Sequence, residues 1–276
     1  MLAGGGSFGA VQVGMLGELL ARQITPDLIV GSSVGAINGA YLAASPTQDG
    51  AERLADIWRH LRRQDVFPFG WRSLAAFLGR RNYMVDSRGI RSLLEDHLTY
   101  RMFDQAAVPL HVVATDVHGG STVCLSAGPV LDAVLASCAI PGAFPPVRIG
   151  EQYLMDGAVA SNTPIRTAIE LGAKRLVVLP TGFACALERP PASAIGATLH
   201  AINLLIAHQL VADLEQYRTQ VDIVTVPPLC PLAVSPYDFS HANELIERAS
   251  TQTRHWLESG GMEKDHIPHA LRPHKD

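Results

Sequence analysis

Two turns rich in glycine and serine, and one carboxylate, are the residues here whose types and spacing could do chemistry. Gly31-Ser32-Ser33-Val34-Gly35 fits Gly-x-Ser-x-Gly. Between a strand and a helix, this pattern holds its middle serine on a sharp, strained turn. The Ser33 hydroxyl then stands at a helix N-terminus, where the helix dipole favours developing negative charge. Gly31 and Gly35 are needed because side chains there would collide with the turn. Ser33 is the candidate nucleophile. Its plainer role would be to N-cap the helix that follows.

Gly4-Gly5-Gly6-Ser7-Phe8-Gly9 fits Gly-x-Gly-x-x-Gly. A dinucleotide site would need an acidic residue roughly 20 positions on, at the end of a second strand. Asp27 lies 18 residues after Gly9 but precedes its strand, so a ribose would have no partner. No Gly-Lys-Ser/Thr follows, which excludes a P-loop. Consecutive glycines also leave backbone N–H groups bare and able to point at one oxygen. An oxyanion hole from Gly4, Gly5 and Gly6 is the preferred reading, because a nucleophile is present to need it.

An exposed serine needs a proton acceptor. Asp156 follows the apolar run Tyr153-Leu154-Met155 and precedes Gly157 and Ala158. A carboxylate at a strand end, backed by glycine, can enter a crowded site. Asp-Gly also suits an ordinary β-turn. His200, His208 and His241 follow Asp156, so a Ser–Asp–His order is formally open. His200 and His208 fall inside a long helical pattern, a poor place from which to reach Ser33. His111 begins a strand and His118 sits beside Gly119-Gly120. Residue types alone leave dyad and triad both standing.

The elements that must position these groups follow from periodicity. Apolar residues at helical spacing predict a helix over Ala10–Arg22 after the first glycine turn. Only Met1 to Ala3 remain for a strand before it. A turn at Thr25-Pro26-Asp27 leads into a strand at Leu28–Val30, then a small-residue helix over Ala36–Ala44, stopped by Pro46. Further helices are expected at Gly50–Arg63 and Arg88–His97, the latter with Ser87 as N-cap. Arg72–Leu78 could hold a helical turn or two. Strands are expected at Leu110–Thr115 and Thr122–Leu125, with a helix at Gly128–Ser137. A hairpin joins Val147–Ile149 to Gln152–Met155 around Gly150-Glu151. Pro164–Leu171 reads as a helix, Arg175–Pro180 as a buried strand, and Ala194–Tyr217 as a long amphipathic helix. A strand at Val221–Val226 and a helix at Asn243–Glu258 close the chain. Alternating strands and helices predict one domain over 1–276: a three-layer α/β/α sandwich with a mainly parallel central sheet.

Composition narrows the class. The chain has 276 residues, 47% hydrophobic and 17% charged. That excludes a disordered or collagen-like chain. No apolar run approaches the ~18–20 residues of a spanning helix. The N-terminus carries no signal-peptide pattern, so a cytoplasmic protein is expected. The net charge of −4 argues against a nucleic-acid partner. Cys124, Cys138, Cys185 and Cys230 lack metal-ligand spacing and read as reduced thiols. No metal is expected.

Taken in order, Gly4–Gly9, Gly31–Gly35 and Asp156–Ala158 resemble the motifs of the patatin-like phospholipases, a family of lipid acyl hydrolases. Ala114-Thr115-Asp116, the run Ala136-Ser137-Cys138-Ala139-Ile140-Pro141-Gly142-Ala143-Phe144-Pro145-Pro146, and Asn162-Thr163-Pro164 extend the resemblance. It covers roughly residues 2–182. The resemblance implies Ser33 as nucleophile, Asp156 as base of a Ser–Asp dyad without histidine, and Gly4, Gly5 and Gly6 as oxyanion hole. It implies two-step acyl transfer on a lipid ester, of phospholipase A or lysophospholipase type, with no cofactor. Phe8 stands where the family usually has Arg or Lys, which implies altered head-group preference before lost catalysis.

Two alternatives share this scaffold: an esterase or thioesterase on small soluble acyl esters, and a catalytically silent acyl-binding protein. A dinucleotide-binding protein is more distant. Residues 53–91 hold nine arginines, three acids and six of the 17 aromatics. Arginine with interfacial aromatics attracts anionic lipid. This segment is therefore expected to be a lid or a peripheral membrane contact. The apolar stripe Leu199, Ile202, Leu205, Ile206 and Leu210 either lines an acyl pocket or belongs to the core. The oligomeric state is not readable from the sequence.

Overall fold

The computed structural model describes residues 1–67, 85–182, 194–263 and 267–271. In chain order its elements are α1 (Gly9–Ala21), β1 (Ile29–Ser32), α2 (Val34–Ala44), α3 (Gln48–His60), α4 (Arg63–Val66), α5 (Arg88–His97), β2 (Leu110–Asp116), β3 (Thr122–Leu125), α6 (Val130–Ser137), β4 (Val147–Ile149), β5 (Gln152–Asp156), α7 (Ala158–Ser161), α8 (Ile165–Glu170), β6 (Arg175–Val178), α9 (Ala194–Tyr217), β7 (Asp222–Thr225) and α10 (Ala242–Glu258).

The strand pleat sends successive side chains to opposite faces, and the strands sort their residues accordingly. Ile29, Val112 and Val224 join one core with α1, α2, α3, α6 and α10. Their neighbours Val30, Val113 and Ile223 join a second core with α8 and α9. Two cores on two faces make the three-layer α/β/α sandwich, with its mainly parallel sheet in the middle.

The sheet is held together at its centre by very little chain. β1 runs parallel to β2, and β6 parallel to β7. Leu2 bridges Gly31 on one side and Leu179 on the other, both parallel. Leu2 N–H donates to Val30 O at 2.9 Å, Ser32 N–H to Leu2 O at 3.2 Å, Ala3 N–H to Leu179 O at 3.2 Å and Leu179 N–H to Met1 O at 2.9 Å. Three residues suffice as a central strand because both of their edges are paired.

Antiparallel strands extend the other side. β3 and β5 both pair with β2, and β4 pairs with β5 around Gly150, whose φ is +59°.

Several boundaries differ from the sequence expectation. α3 starts at Gln48 because Thr47 Oγ1 accepts the Gly50 N–H at 3.1 Å. Ser87 makes no cap bond to α5; Asp86 Oδ1 accepts the Arg88 N–H at 3.1 Å instead. The longer Asp side chain reaches a donor two residues on. The turn expected at Arg72–Leu78 lies outside the described residues. Among the described residues, no helix is long and apolar enough to cross a membrane.

Candidate active site

The register of β2 explains how Ser33 and Asp156 meet. Val113 pairs with Ser32 of β1 and, across its other edge, with Cys124 of β3. The next residue, Ala114, pairs with Val123 of β3 and with Asp156 of β5. So β1 and β5 share one edge of β2 and meet end to end. Ser33 is the first residue beyond β1, and Asp156 is the last of β5. Their side chains are joined by a hydrogen bond from Ser33 Oγ to Asp156 Oδ2 at 2.7 Å. The two residues are 123 apart in sequence.

Ser33 holds φ +53° and ψ −125°, a conformation that side chains other than glycine adopt only under constraint. The constraint is visible. Ser33 N–H donates to Ser137 Oγ at 2.8 Å, and that hydroxyl donates to Val113 O at 2.6 Å. A Cβ on Gly35 would run into the Leu2 carbonyl. The tight strand-to-helix turn therefore needs glycine there.

Asp156 is anchored just as firmly. Its N–H donates to Ala139 O at 3.0 Å, and its carbonyl accepts from Thr115 Oγ1 at 2.8 Å. Its two carboxylate oxygens divide the work: Oδ2 faces Ser33, and Oδ1 accepts the Ala158 N–H at 2.8 Å. A Cβ on Gly157 would press on the Val113 carbonyl and on Ser32 Oγ, so the chain can pass behind the carboxylate only without a side chain. Burial raises the Asp156 pKa, and the bonds from Ala158 N–H and Ser33 Oγ pull it partly back, to about 6. A base is most useful when its pKa lies near the working pH.

The glycine turn passes directly beside the serine. A Cβ on Gly4 would come within 3.0 Å of Ser33 Cβ. Gly4 differs from its two neighbours in one respect. Its N–H donates to Asn162 O at 3.1 Å, and its carbonyl accepts from Thr181 Oγ1 at 2.7 Å and Asn162 Nδ2 at 3.3 Å. Among the described residues, the N–H groups of Gly5 and Gly6 have no protein partner. Gly6, at φ +58°, lines the same pocket as Ser33. Gly9 opens α1 behind the turn.

Buried polar side chains brace the turn from below. Gln12 Nε2 donates to Ala3 O at 2.8 Å and to Leu179 O at 2.9 Å. Asn38 Nδ2 donates to Gly9 O and to Gln12 Oε1, both at 3.0 Å, and Trp58 Nε1 donates to Asn38 Oδ1 at 2.9 Å.

Ser33 opens into a pocket of about 670 Å³, counting the part open to solvent. Its walls come from α2, α3, α4, α5, the segment after α6 and residues 236–239. Trp58 stacks on Phe239 at 6.2 Å and Phe67 on Phe144 at 5.3 Å. No described residue of α9 lines it. Of the two readings of that helix's stripe, acyl-pocket lining and core, the described part supports core at one end alone. Leu210 and Leu214 are buried core, whereas Ile202 and Leu205 are exposed. Leu199 is not among the described side chains.

The remaining candidates fall elsewhere. No described histidine lines the pocket with Ser33. His200 and His208 ride on α9, His111 is the second residue of β2, His118 packs edge-on to Tyr153, and His241 lies 3.2 Å from Glu244. Phe8 is 1% exposed and belongs to the core, not to the pocket wall. A cation at that place would be stripped of water. Cys124, Cys138 and Cys230 are free thiols, and Cys185 lies outside the described residues. Among the described residues, no group of three or more His, Cys, Asp or Glu could hold a metal ion. Of the arginine-rich stretch 53–91, residues 68–84 lie outside the described residues. In the part that is described, Trp58 and Phe67 face the pocket.

Ser137 and Thr115 lay inside runs quoted for the family resemblance, yet residue type alone assigned them no role. Thr181 and the 235–239 segment carried no motif.

The family model described as patatin-like phospholipase matches residues 1–169. This chain belongs to that family. It is 26% identical over 188 residues to patatin-like phospholipase domain-containing protein 7 of Mus musculus, covering 66% of this chain and 13% of that protein. It is 31% identical over 166 residues to an uncharacterized NTE family protein of Mycobacterium tuberculosis, covering 59% of this chain and 27% of that one. The chain thus spans only a small part of these relatives' length. Among solved structures, VipD from Legionella pneumophila aligns over 94% of this chain and 66% of its own, at 13% identity and a TM-score of 0.47.

Proposed function

We propose that this chain is a serine hydrolase that cleaves lipid acyl esters, of phospholipase A or lysophospholipase type, through a Ser33–Asp156 dyad. The observation that carries the reading is the 2.7 Å hydrogen bond from Ser33 Oγ to Asp156 Oδ2 at the end of an apolar pocket. The family names its members for phospholipid hydrolysis, and the pocket's nearly all-carbon wall suits an acyl chain.

In the first step Ser33 Oγ attacks the ester carbonyl and Asp156 takes its proton. The N–H groups of Gly5 and Gly6 receive the developing oxyanion. Gly4, its N–H already bound, supplies room beside Ser33. Protonated Asp156 then returns the proton to the leaving alcohol, and the acyl chain stays on Ser33. Water enters, Asp156 takes a proton from it, and the attack releases the fatty acid and restores the serine. Every step uses groups of this chain, so no metal or organic cofactor is invoked. The arginines of 53–91 would provide peripheral contact with an anionic membrane.

The test is active-site labelling with a fluorophosphonate probe, mapped by peptide mass spectrometry, followed by hydrolysis of phospholipid, lysophospholipid and short soluble esters. An adduct on Ser33 with preference for long-chain lipid is expected. An adduct with turnover of short esters only would make the chain a soluble esterase or thioesterase. No adduct on folded protein would make it a silent acyl-binding scaffold.

A further inference from the structure

Among the described residues, three polar side chains besides Ser33 line the pocket with N–H or O–H donors: Tyr41, Trp58 and Tyr237. Two are already used. Tyr41 OH donates to Leu93 O at 3.0 Å, and Trp58 Nε1 donates to Asn38 Oδ1 at 2.9 Å. The Tyr237 phenol has no protein partner among the described residues. It is half-buried in a mostly apolar wall. A pocket-lining phenol with no protein partner is free to donate to a bound molecule.

The segment that carries Tyr237 is held against the glycine turn. Pro236 O accepts the Ser7 N–H at 2.8 Å, and Ser235 O accepts from Ser7 Oγ at 3.3 Å. A Cβ on Gly6 would strike the Pro236 carbonyl. Tyr237 is therefore brought to the pocket beside Gly6 and Ser33 by hydrogen bonds from Ser7 to the backbone of its segment. This segment lies past residue 169, outside the stretch matched by the family model.

We infer that Tyr237 is a substrate-contacting residue whose phenol donates a hydrogen bond to the ester carbonyl oxygen as Ser33 attacks it, alongside the Gly5 and Gly6 N–H groups. The inference rests on the hydrolase reading above. The phenol gives up no proton in this role; it strengthens a hydrogen bond as negative charge grows on the oxygen. Burial, and next the nearby Asp156 charge, push the Tyr237 pKa up to about 12, so the group remains a donor across the working pH range.

The experiment compares wild type with Tyr237→Phe, which keeps the ring and removes only the hydroxyl. The readouts are kcat and KM on a p-nitrophenyl acyl ester, the rate of fluorophosphonate labelling of Ser33, and Tm. Losing one donor to a developing oxyanion should lower kcat by on the order of 10- to 100-fold. The labelling rate should fall in parallel, while KM and Tm hold. A kcat within about two-fold of wild type, or a loss carried wholly by KM, would overturn the inference and leave the dyad standing. Wild type that neither labels nor turns over ester would overturn both, and that result is visible before the variant is made.

Discussion

Residues 1–169 and residues 170–271 build the same pocket by different means. The first region carries its chemistry in short motifs locked by backbone geometry: Ser33 at positive φ, Asp156 at a strand end, glycines where a Cβ has no room. The second carries no motif. It contributes the outer strands β6 and β7 and helix α9 to the fold and, among the described residues, Pro236, Tyr237 and Phe239 to the pocket wall. Chemistry at a reacting bond tolerates errors of a fraction of an ångström, so it needs residues fixed by sterics. A wall for an acyl chain needs only carbon at the right distance, which many sequences supply. The first region would thus place the reacting pair and most of the pocket wall, and the second would close the pocket beside them and bring the Tyr237 phenol to it.

The strongest test of that division is Ser33→Ala. Turnover should fall by about 10⁴-fold or more, and the probe adduct should vanish while the fold persists. Near-wild-type turnover would remove the first region's claim to the chemistry.

Asp156→Asn should lower the rate by on the order of 10²–10⁴ and have the opposite effect on stability. The folded pKa of about 6 lies above the ordinary Asp value of 3.8. Between these values the native state holds the proton more tightly than the unfolded chain, so wild-type stability declines as pH rises from 4 to 6. The charge buried above pH 6 costs about 3 kcal/mol by that shift. Denaturant melts at pH 8 should show the Asn variant more stable by up to that amount, with the gain gone near pH 4. A variant destabilised equally at both pH values would contradict the buried-charge account.

The second region should answer to packing. Leu214→Ala, at 2% exposure in the second core, should cost about 2–5 kcal/mol. Leu205→Ser, on the same helix at 69% exposure, should change stability by less than about 0.5 kcal/mol. Equal effects would mean α9 is seated otherwise than described.

Between these two in size is the acid limb of the pH profile. kcat/KM should fall about ten-fold per pH unit below about 6, as Asp156 becomes protonated and loses its role as base. A limb centred near pH 4 would show a carboxylate much less buried than Asp156 is here.

The elements around the site were legible because their signals are local. Gly-x-Ser-x-Gly between a strand and a helix needs five residues and their neighbours. The β4–β5 hairpin and the bounds of α9 followed from apolar runs and turn residues. Less was legible where a partner is distant. Two of the three glycines in the first turn keep free N–H groups and one does not, and that depends on Asn162. The short run Met1–Ala3 looked too small for a strand because its two partners, β1 and β6, are nearly 150 residues apart. The stripe on α9 obeyed helical spacing along its length, yet only part of it meets the core.

By itself, then, the sequence determined the residue types: a serine on a glycine-flanked turn, a carboxylate backed by glycine, glycines ahead of a helix, and strands alternating with helices. Their spacing forces the local backbone, because glycine alone fits where chains nearly touch. The tertiary structure decided which of them meet. The register of β2 brings Asp156 to Ser33, the braces from Ser137 and Thr115 hold each in place, and residues 235–239 complete the pocket. Those contacts join residues from 41 (Thr115–Asp156) to 228 (Ser7–Ser235) positions apart, and no local pattern carries the free energy that selects them.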